Sequence, residues 1–250
     1  MLGLIPLVIG VFLGLLGGGG SVLAVPALVY FYGLETKSAI ATSLLIVGLS
    51  SLVMSVKPLV RRELDLKAIF SFSIFAIFGA FVSAKYFSIY LSGELQLALF
   101  ALLTFGIGFL MLRKNPSQID SRDGLPASLE FLESKTWLLA FVVGFITGLV
   151  GVGGGFLLVP SLHYCLKLPM QLAIKSSLLI ITLQSLSAFA GYTSYMVLDY
   201  SLFGQFMMFM LVGNSIGLFF RSRFNEILLR KSFAYLLIFL GLFILLKTVL

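Results

Sequence analysis

Charge is scarce in this sequence: Asp, Glu, Lys and Arg make up 11% of its 250 residues, where soluble domains carry about a quarter. Stretches such as Ala68 to Ser83 and Ala98 to Leu112 contain none. A soluble fold of this size could not hide so many Phe, Leu and Ile side chains. Cysteine is nearly absent too. The single Cys165 excludes an intrachain disulfide and suggests no cysteine-based metal site. His-Glu-x-x-His, a nucleophile with matched His and acid, and a phosphate loop are all missing, so no catalytic constellation, metal site or cofactor is expected. The net charge of +7 does not point to nucleic acid, because the aromatics lie inside apolar runs and not among the basic residues.

What is present is apolar sequence in long runs. Eight elements emerge, at 2–33, 37–56, 66–91, 95–113, 136–166, 170–197, 201–220 and 229–249. Runs of roughly 18 or more apolar residues read as membrane spans. The expected fold is therefore an all-α, multi-pass membrane protein in contact with lipid. The basic residues between runs fit topology and contact with anionic lipid. The first run lacks a basic leader and enters four glycines instead of a cleavage site, so it is expected to belong to the mature fold. The polar stretch 114–135 is the natural linker between repeat 1 (1–113) and repeat 2 (136–250).

The two halves repeat. At an offset of 134, Gly10, Gly14 and Gly17 fall on Gly144, Gly148 and Gly151, and Gly19-Gly20 on Gly153-Gly154. Val25-Pro26 falls on Val159-Pro160, Thr42-Ser43-Leu44 on Ser176-Ser177-Leu178, and Leu64-Asp65 on Leu198-Asp199. One register holds over about 70 positions, with Gly and Pro repeatedly in step.

Each half opens with an element of about 32 residues. A straight helix of that length would reach about 48 Å, against a hydrocarbon core of about 30 Å. Glycine clusters interrupt both, and glycine permits sharp turns. Either each element crosses with a break, or it turns near the midplane and leaves on the side it entered. Loop charge favours the second. Lys57, Arg61, Arg62 and Lys67 follow the second element, whereas the matching loop, 191–201, has no Lys or Arg. The loop 86–95 has none, whereas its match carries Arg221 and Arg223. Basic charge swaps between matched loops, as expected of two inverted repeats, each a re-entrant broken helix plus three transmembrane helices. Lys57–Lys67, Arg113–Lys135 and Arg221–Lys231 would then share the cytoplasmic side.

Broken helices aim half-helix N-termini at anionic groups. The second half-helices should begin near Ser21 and Gly155. Candidate donors to a small anionic substrate are the backbone N–H groups of Gly18, Gly19, Gly20, Ser21, Gly153, Gly154 and Gly155. The Ser21 hydroxyl adds to them, and Thr42, Ser43, Ser176 and Ser177 lie within reach on the following helices. Those hydroxyls either serve substrate or bond their own helix. Lys175 either attracts an anion or extends to the interface. His163 is either a proton carrier or, better supported, a satisfied structural histidine. Gly10, Gly14, Gly144 and Gly148 are read as packing glycines, and Asp65 and Asp199 as helix caps.

The paired runs Gly14-Leu-Leu-Gly17-Gly-Gly-Gly20…Val25-Pro26 and Gly148-Leu-Val-Gly151-Val-Gly-Gly-Gly155…Val159-Pro160 resemble the sulfite exporter TauE/SafE family. Ala41-Thr42-Ser43-Leu44 and Ser176-Ser177-Leu178 extend the likeness. Ser21 and Lys175-Ser176 depart from the usual pattern. The resemblance implies export of sulfite, sulfonates or related small anions across the cytoplasmic membrane of prokaryotes. The expected function is a secondary transporter working by alternating access. An anion channel and a membrane scaffold or accessory subunit are the alternatives.

Overall fold

Backbone N–H and C=O groups find no water partners in hydrocarbon, so uncharged runs of Leu, Ile, Phe and Ala close their hydrogen bonds internally as helices. The computed structural model describes residues 3–113, 134–151, 153–166, 168–193, 198–221, 223 and 226–249. The described residues are nearly all helical, and no strand occurs among them. Most of the linker expected at 114–135 lies outside them; its last two residues, Ser134 and Lys135, open a helix.

The first half contains α1 (Leu4–Leu16), a 3-10 turn (Gly17–Leu23), α2 (Ala24–Tyr30), α3 (Thr36–Val60), α4 (Leu66–Val82, continued as a π turn Ser83–Phe87) and α5 (Gly93–Arg113). The second contains α6 (Ser134–Val150), α7 (Gly155–Pro160, continued as a π turn Ser161–Cys165), α8 (Met170–Tyr192), α9 (Tyr200–Arg221) and α10 (Glu226–Val249). Six described helices are long and apolar enough to span a bilayer, and they fall within α3, α4 with its π turn, α5, α8, α9 and α10. The helices Leu4–Leu16, Gly20–Tyr30 and Thr136–Val150 are apolar but shorter. The two broken elements thus supply short helices, and each half supplies three long ones.

Local chemistry explains the ends. Gly17 (φ +67°) terminates α1 in a conformation that strains any side-chain-bearing residue. At Asp199, one carboxylate oxygen accepts from the N–H groups of Ser201 (2.9 Å) and Leu202 (3.1 Å), which is an N-cap for α9. The capping role expected of Asp199 is therefore seen directly.

The glycine-broken elements double back. A Cβ on Gly20 would collide with the Leu13 backbone, seven residues earlier; along a straight helix the two would lie about 10 Å apart. In the second half, a Cβ on Gly154 would lie 3.0 Å from Thr147 Cγ2. Both elements are hairpins of short helices.

The halves interlock. In α1, Gly10 faces Met210 and Gly213 of α9, and Gly14 faces Asn214 and Gly217. Numbers rise together, so these helices run parallel. The equivalent pair does the same, with Gly144 and Gly148 of α6 against Ala76 and Ala80 of α4. A methyl group on any of these four glycines would strike a backbone carbonyl of the facing helix. The expected packing role is therefore met by contact of backbone with backbone.

Equivalent long helices pair with each other in the opposite sense. Gly48 of α3 meets Ser185 and Leu186 of α8, while Ala41 and Thr42 share a cavity with Phe189 and Thr193. Gly108 of α5 meets Ala234 and Leu237 of α10, and Gly241 meets Ala101 and Phe105. In both pairs, numbers rise along one helix as they fall along the other. Both pairs are antiparallel.

Candidate functional site

The two hairpin tips meet at the centre of the bundle. Their apolar residues Leu16, Val22, Val25, Val150, Phe156 and Val159 share one buried cluster with Ile40 and Ile174. Each tip sits on the other half's long helix in an equivalent way. A Cβ on Gly17 would strike Ile174 of α8, and one on Gly151 would strike Ile40 of α3. The glycines are needed because backbone has to approach a β-branched side chain with nothing between.

The tips are wound differently. The second follows the expectation: Gly151, Gly153 and Gly154 are all at positive φ, and α7 starts at Gly155. The first does not. Gly17 to Leu23 form a 3-10 helix and α2 begins at Ala24, so Gly18, Gly19, Gly20 and Ser21 lie inside the turn and not at a helix start. The tighter turn engages N–H groups in its own i→i+3 bonds. Ser21 is fully buried and has a partner.

A break leaves the carbonyls of the first half-helix without intrahelical partners. At the end of α6 and in the tip, side chains from three other helices supply donors. The Tyr192 hydroxyl of α8 lies 3.3 Å from both Gly148 O and Leu149 O. Gln96 Nε2 of α5 donates to Leu149 O at 3.1 Å. Ser43 of α3 donates to Gly151 O at 2.8 Å. Gln184 Nε2 (3.2 Å) and Ser185 Oγ (3.3 Å) both point at Gly153 O. The two amides are turned donor-first, which leaves Gln96 Oε1 and Gln184 Oε1 buried without partners among the described residues. Flipping them would set oxygen against oxygen, so the orientation is enforced by the carbonyls. Sequence reasoning missed Gln96, Tyr192 and Ser185 in this role.

The hydroxyls of the following helices divide in two. Ser43 and Ser177 lie within bonding distance of carbonyls three residues back, Ile40 O (2.8 Å) and Ile174 O (2.9 Å). Thr42 and Ser176 make no hydrogen bond among the described residues, although both are nearly buried. Thr42 opens into a cavity of about 440 Å³, whose wall also includes Ser38, Phe189, Thr193 and Tyr200. The matching end of the second half, around Ser176, carries an ion pair. There Leu64 and Leu179 are buried in one cluster, and Lys175 Nζ lies 2.7 Å from Glu63 Oε2. Hydrogen bonding to Lys175 is the main force holding the Glu63 carboxyl below its ordinary range; Coulombic attraction to Lys175, Arg61 and Lys57 adds to it, against some desolvation.

His163, in the π turn after α7, shares a hydrogen with Leu168 O at 2.8 Å through Nδ1. A carbonyl only accepts, so Nδ1 carries the proton. The histidine is buried and anchored where the hairpin leaves the core. Among the described residues no three His, Cys, Asp or Glu side chains gather as a metal site.

Paired apolar hairpins, a donor-lined break at the centre and six long apolar helices define a multi-pass membrane transporter. Comparison with known proteins agrees. Residues 2–244 match the family described as Sulfite exporter TauE/SafE, and the chain belongs to that family. A "Probable membrane transporter protein" of Xylella fastidiosa (strain 9a5c) is 29% identical over 94% of this chain and 90% of its own length. "Probable membrane transporter protein YunE" of Bacillus subtilis is 29% identical over 79% of this chain and 77% of its own. "Probable membrane transporter protein MJ0441" of Methanocaldococcus jannaschii is 25% identical over 74% of this chain and 68% of its own. No solved structure gives a significant match.

Proposed function

We propose that this protein is a secondary transporter that exports a small anion, a sulfite, sulfonate or related sulfur oxyanion, across the cytoplasmic membrane by alternating access. The observation that carries the reading is the capping of the α6 carbonyl end. Unmet carbonyls at a midplane break form a negative pole that would repel an anion or hold a cation. Here Tyr192, Gln96, Ser43, Gln184 and Ser185 direct donors at those oxygens. The positive pole left at the tip is the start of α7, with the N–H groups of Gly153, Gly154 and Gly155. The anion binds there, approached through the Thr42 cavity.

The antiparallel pairing of equivalent helices supports two inverted repeats with re-entrant hairpins. In that arrangement Lys57–Lys67, Arg113–Lys135 and Arg221–Lys231 face the cytoplasm. The Thr42 cavity then lies toward the outer side. An inside-negative potential drives anion export by about 2.3 kcal/mol per charge per 100 mV. The test is uptake of labelled sulfite, sulfate, thiosulfate, sulfonates and carboxylates into proteoliposomes. Saturable counterflow of sulfur oxyanions is expected. Transport of carboxylates alone would refute the substrate class, and single-channel currents would refute the carrier.

A further inference from the structure

A groove of about 620 Å³ lies between the first hairpin and α10. Residues of α1 from Leu4 to Phe12 form one wall, residues from Leu23 to Phe31 in and beside α2 a second, and residues of α10 from Tyr235 to Phe243 the third. Its floor is buried at Ile9, Ala27 and Leu240, while its rims stand open, with Leu4 69% and Phe239 72% exposed. No charged or amide side chain lines it, and the hydroxyls of Tyr30 and Tyr235 are its only polar side-chain groups. Its ligand is therefore hydrocarbon and not the transported anion.

The groove has a length and a direction. Leu4 to Phe12 and Tyr235 to Phe243 each cover two turns of helix, about 12 Å. Half of a hydrocarbon core is about 15 Å. Tyr30 meets Phe243 edge-on with ring centroids 5.7 Å apart, so α2 and α10 end at the same level. The first element doubles back, so α1 begins at that level too. Lys247 lies one turn beyond Phe243 on the same face of α10. It is exposed and makes no ion pair among the described residues. A lysine near a helix end extends to the membrane surface.

We propose that this groove holds one acyl chain of a phospholipid from the leaflet on that side, with the lipid phosphate at Lys247. The groove matches one leaflet in depth and an acyl chain in chemistry. A spanning helix from a second copy would run the full core of about 30 Å, more than twice the length of the groove. The cation at its mouth supplies the charge that a phosphate needs. Two of the three walls belong to the hairpin, whose helices are too short to span a bilayer. A chain in the groove packs the hairpin against α10, and an empty groove forfeits those contacts. The proposal rests on the membrane-spanning fold and not on the identity of the anion.

The test is native mass spectrometry and thermal unfolding of the full chain, delipidated in detergent. It is then given dioleoylphosphatidylglycerol, or dioleoylglycerol, which has the same tails and no phosphate. The parent should retain phosphatidylglycerol and melt higher with it, by roughly 2–4 °C or more at saturation. Dioleoylglycerol should raise melting less. Val8→Trp puts a ring into the groove from a position already 41% exposed. It should lose both retention and shift, yet melt no lower than the parent without lipid. Ile74→Trp, at an exposed position of α4 that does not line the groove, should behave as the parent. Lys247→Gln should reduce the phosphatidylglycerol shift to that of dioleoylglycerol. This exposed substitution keeps the test decisive should the tryptophan variant not fold. Equal lipid retention by Val8→Trp and the parent would overturn the proposal, because the lipid would then be annular only. A Lys247→Gln form that still gains more from phosphatidylglycerol would overturn it too. So would the mass of a second chain in place of lipid, which would make the groove a contact between copies. Failure of every sulfur anion to move in proteoliposomes would strike the substrate class and leave these outcomes to stand.

Discussion

Gly154→Ala is the sharpest single perturbation of the hairpin tip. Gly154 sits at φ +76°, where a side-chain-bearing residue is strained by about 1–2 kcal/mol. The added methyl would collide with Gln184 Nε2 and come within 3.0 Å of Thr147 Cγ2. Gln184 can swing aside only by giving up its 3.2 Å bond to Gly153 O, a loss of about 1 kcal/mol. Ser185 still reaches that oxygen at 3.3 Å, which keeps the loss from growing. The total is about 2–3 kcal/mol, or roughly 4–12 °C in melting temperature for a chain of this size. Thermal unfolding in detergent measures it. Gly106→Ala and Gly204→Ala are the controls: both are helical and a methyl there meets nothing within 4 Å, so each should be stabilising by about 0.5–1 kcal/mol. In a Gln184→Ala background the Gly154→Ala penalty should shrink to its dihedral part. If Gly154→Ala melts with the controls, the tip is not built as described and the capping argument fails with it.

Other outcomes follow from single contacts. Tyr192→Phe removes the hydroxyl that reaches Gly148 O and Leu149 O; a loss of about 1–2 kcal/mol is expected, read by melting, with weaker anion binding in counterflow. Asp199→Ala removes the α9 cap and should cost about 1 kcal/mol, with transport affinity unchanged. The Glu63 carboxyl is held below its ordinary value of 4.5 in the folded protein. Its contribution to stability is therefore present above that value and is lost as pH falls through the lowered one. The melting difference between wild type and Glu63→Gln should be present at neutral pH and vanish in acid. A difference that persists in acid would show that Glu63 acts other than through its charge.

Much of this architecture was legible along the chain. The uncharged runs demanded helices, because no other backbone structure in these segments satisfies its own hydrogen bonds in lipid. The glycine clusters demanded breaks, and the offset of 134 paired the halves. Ser176 and Thr42 could be singled out, but not their free hydroxyls: Ser177 bonds its own helix, while the Ser43 hydroxyl lies equally near Ile40 O and Gly151 O of the other half. Ser21 was expected at a helix start and lies in a 3-10 turn, since glycine runs permit several tight turns and only the packed surroundings select one.

The sequence by itself determined a membrane protein of two glycine-broken repeats, because hydropathy, turn chemistry and repetition are local or periodic properties. Only the tertiary structure decided that α1 pairs with α9, that Tyr192 and Gln96 serve the carbonyls of α6, and that Lys175 is held by Glu63. A tyrosine in an apolar run reads as core, and a glutamate in a basic loop reads as solvated. Each acquires its role from a partner 43 to 112 residues away, and no local pattern encodes which partner the fold will deliver.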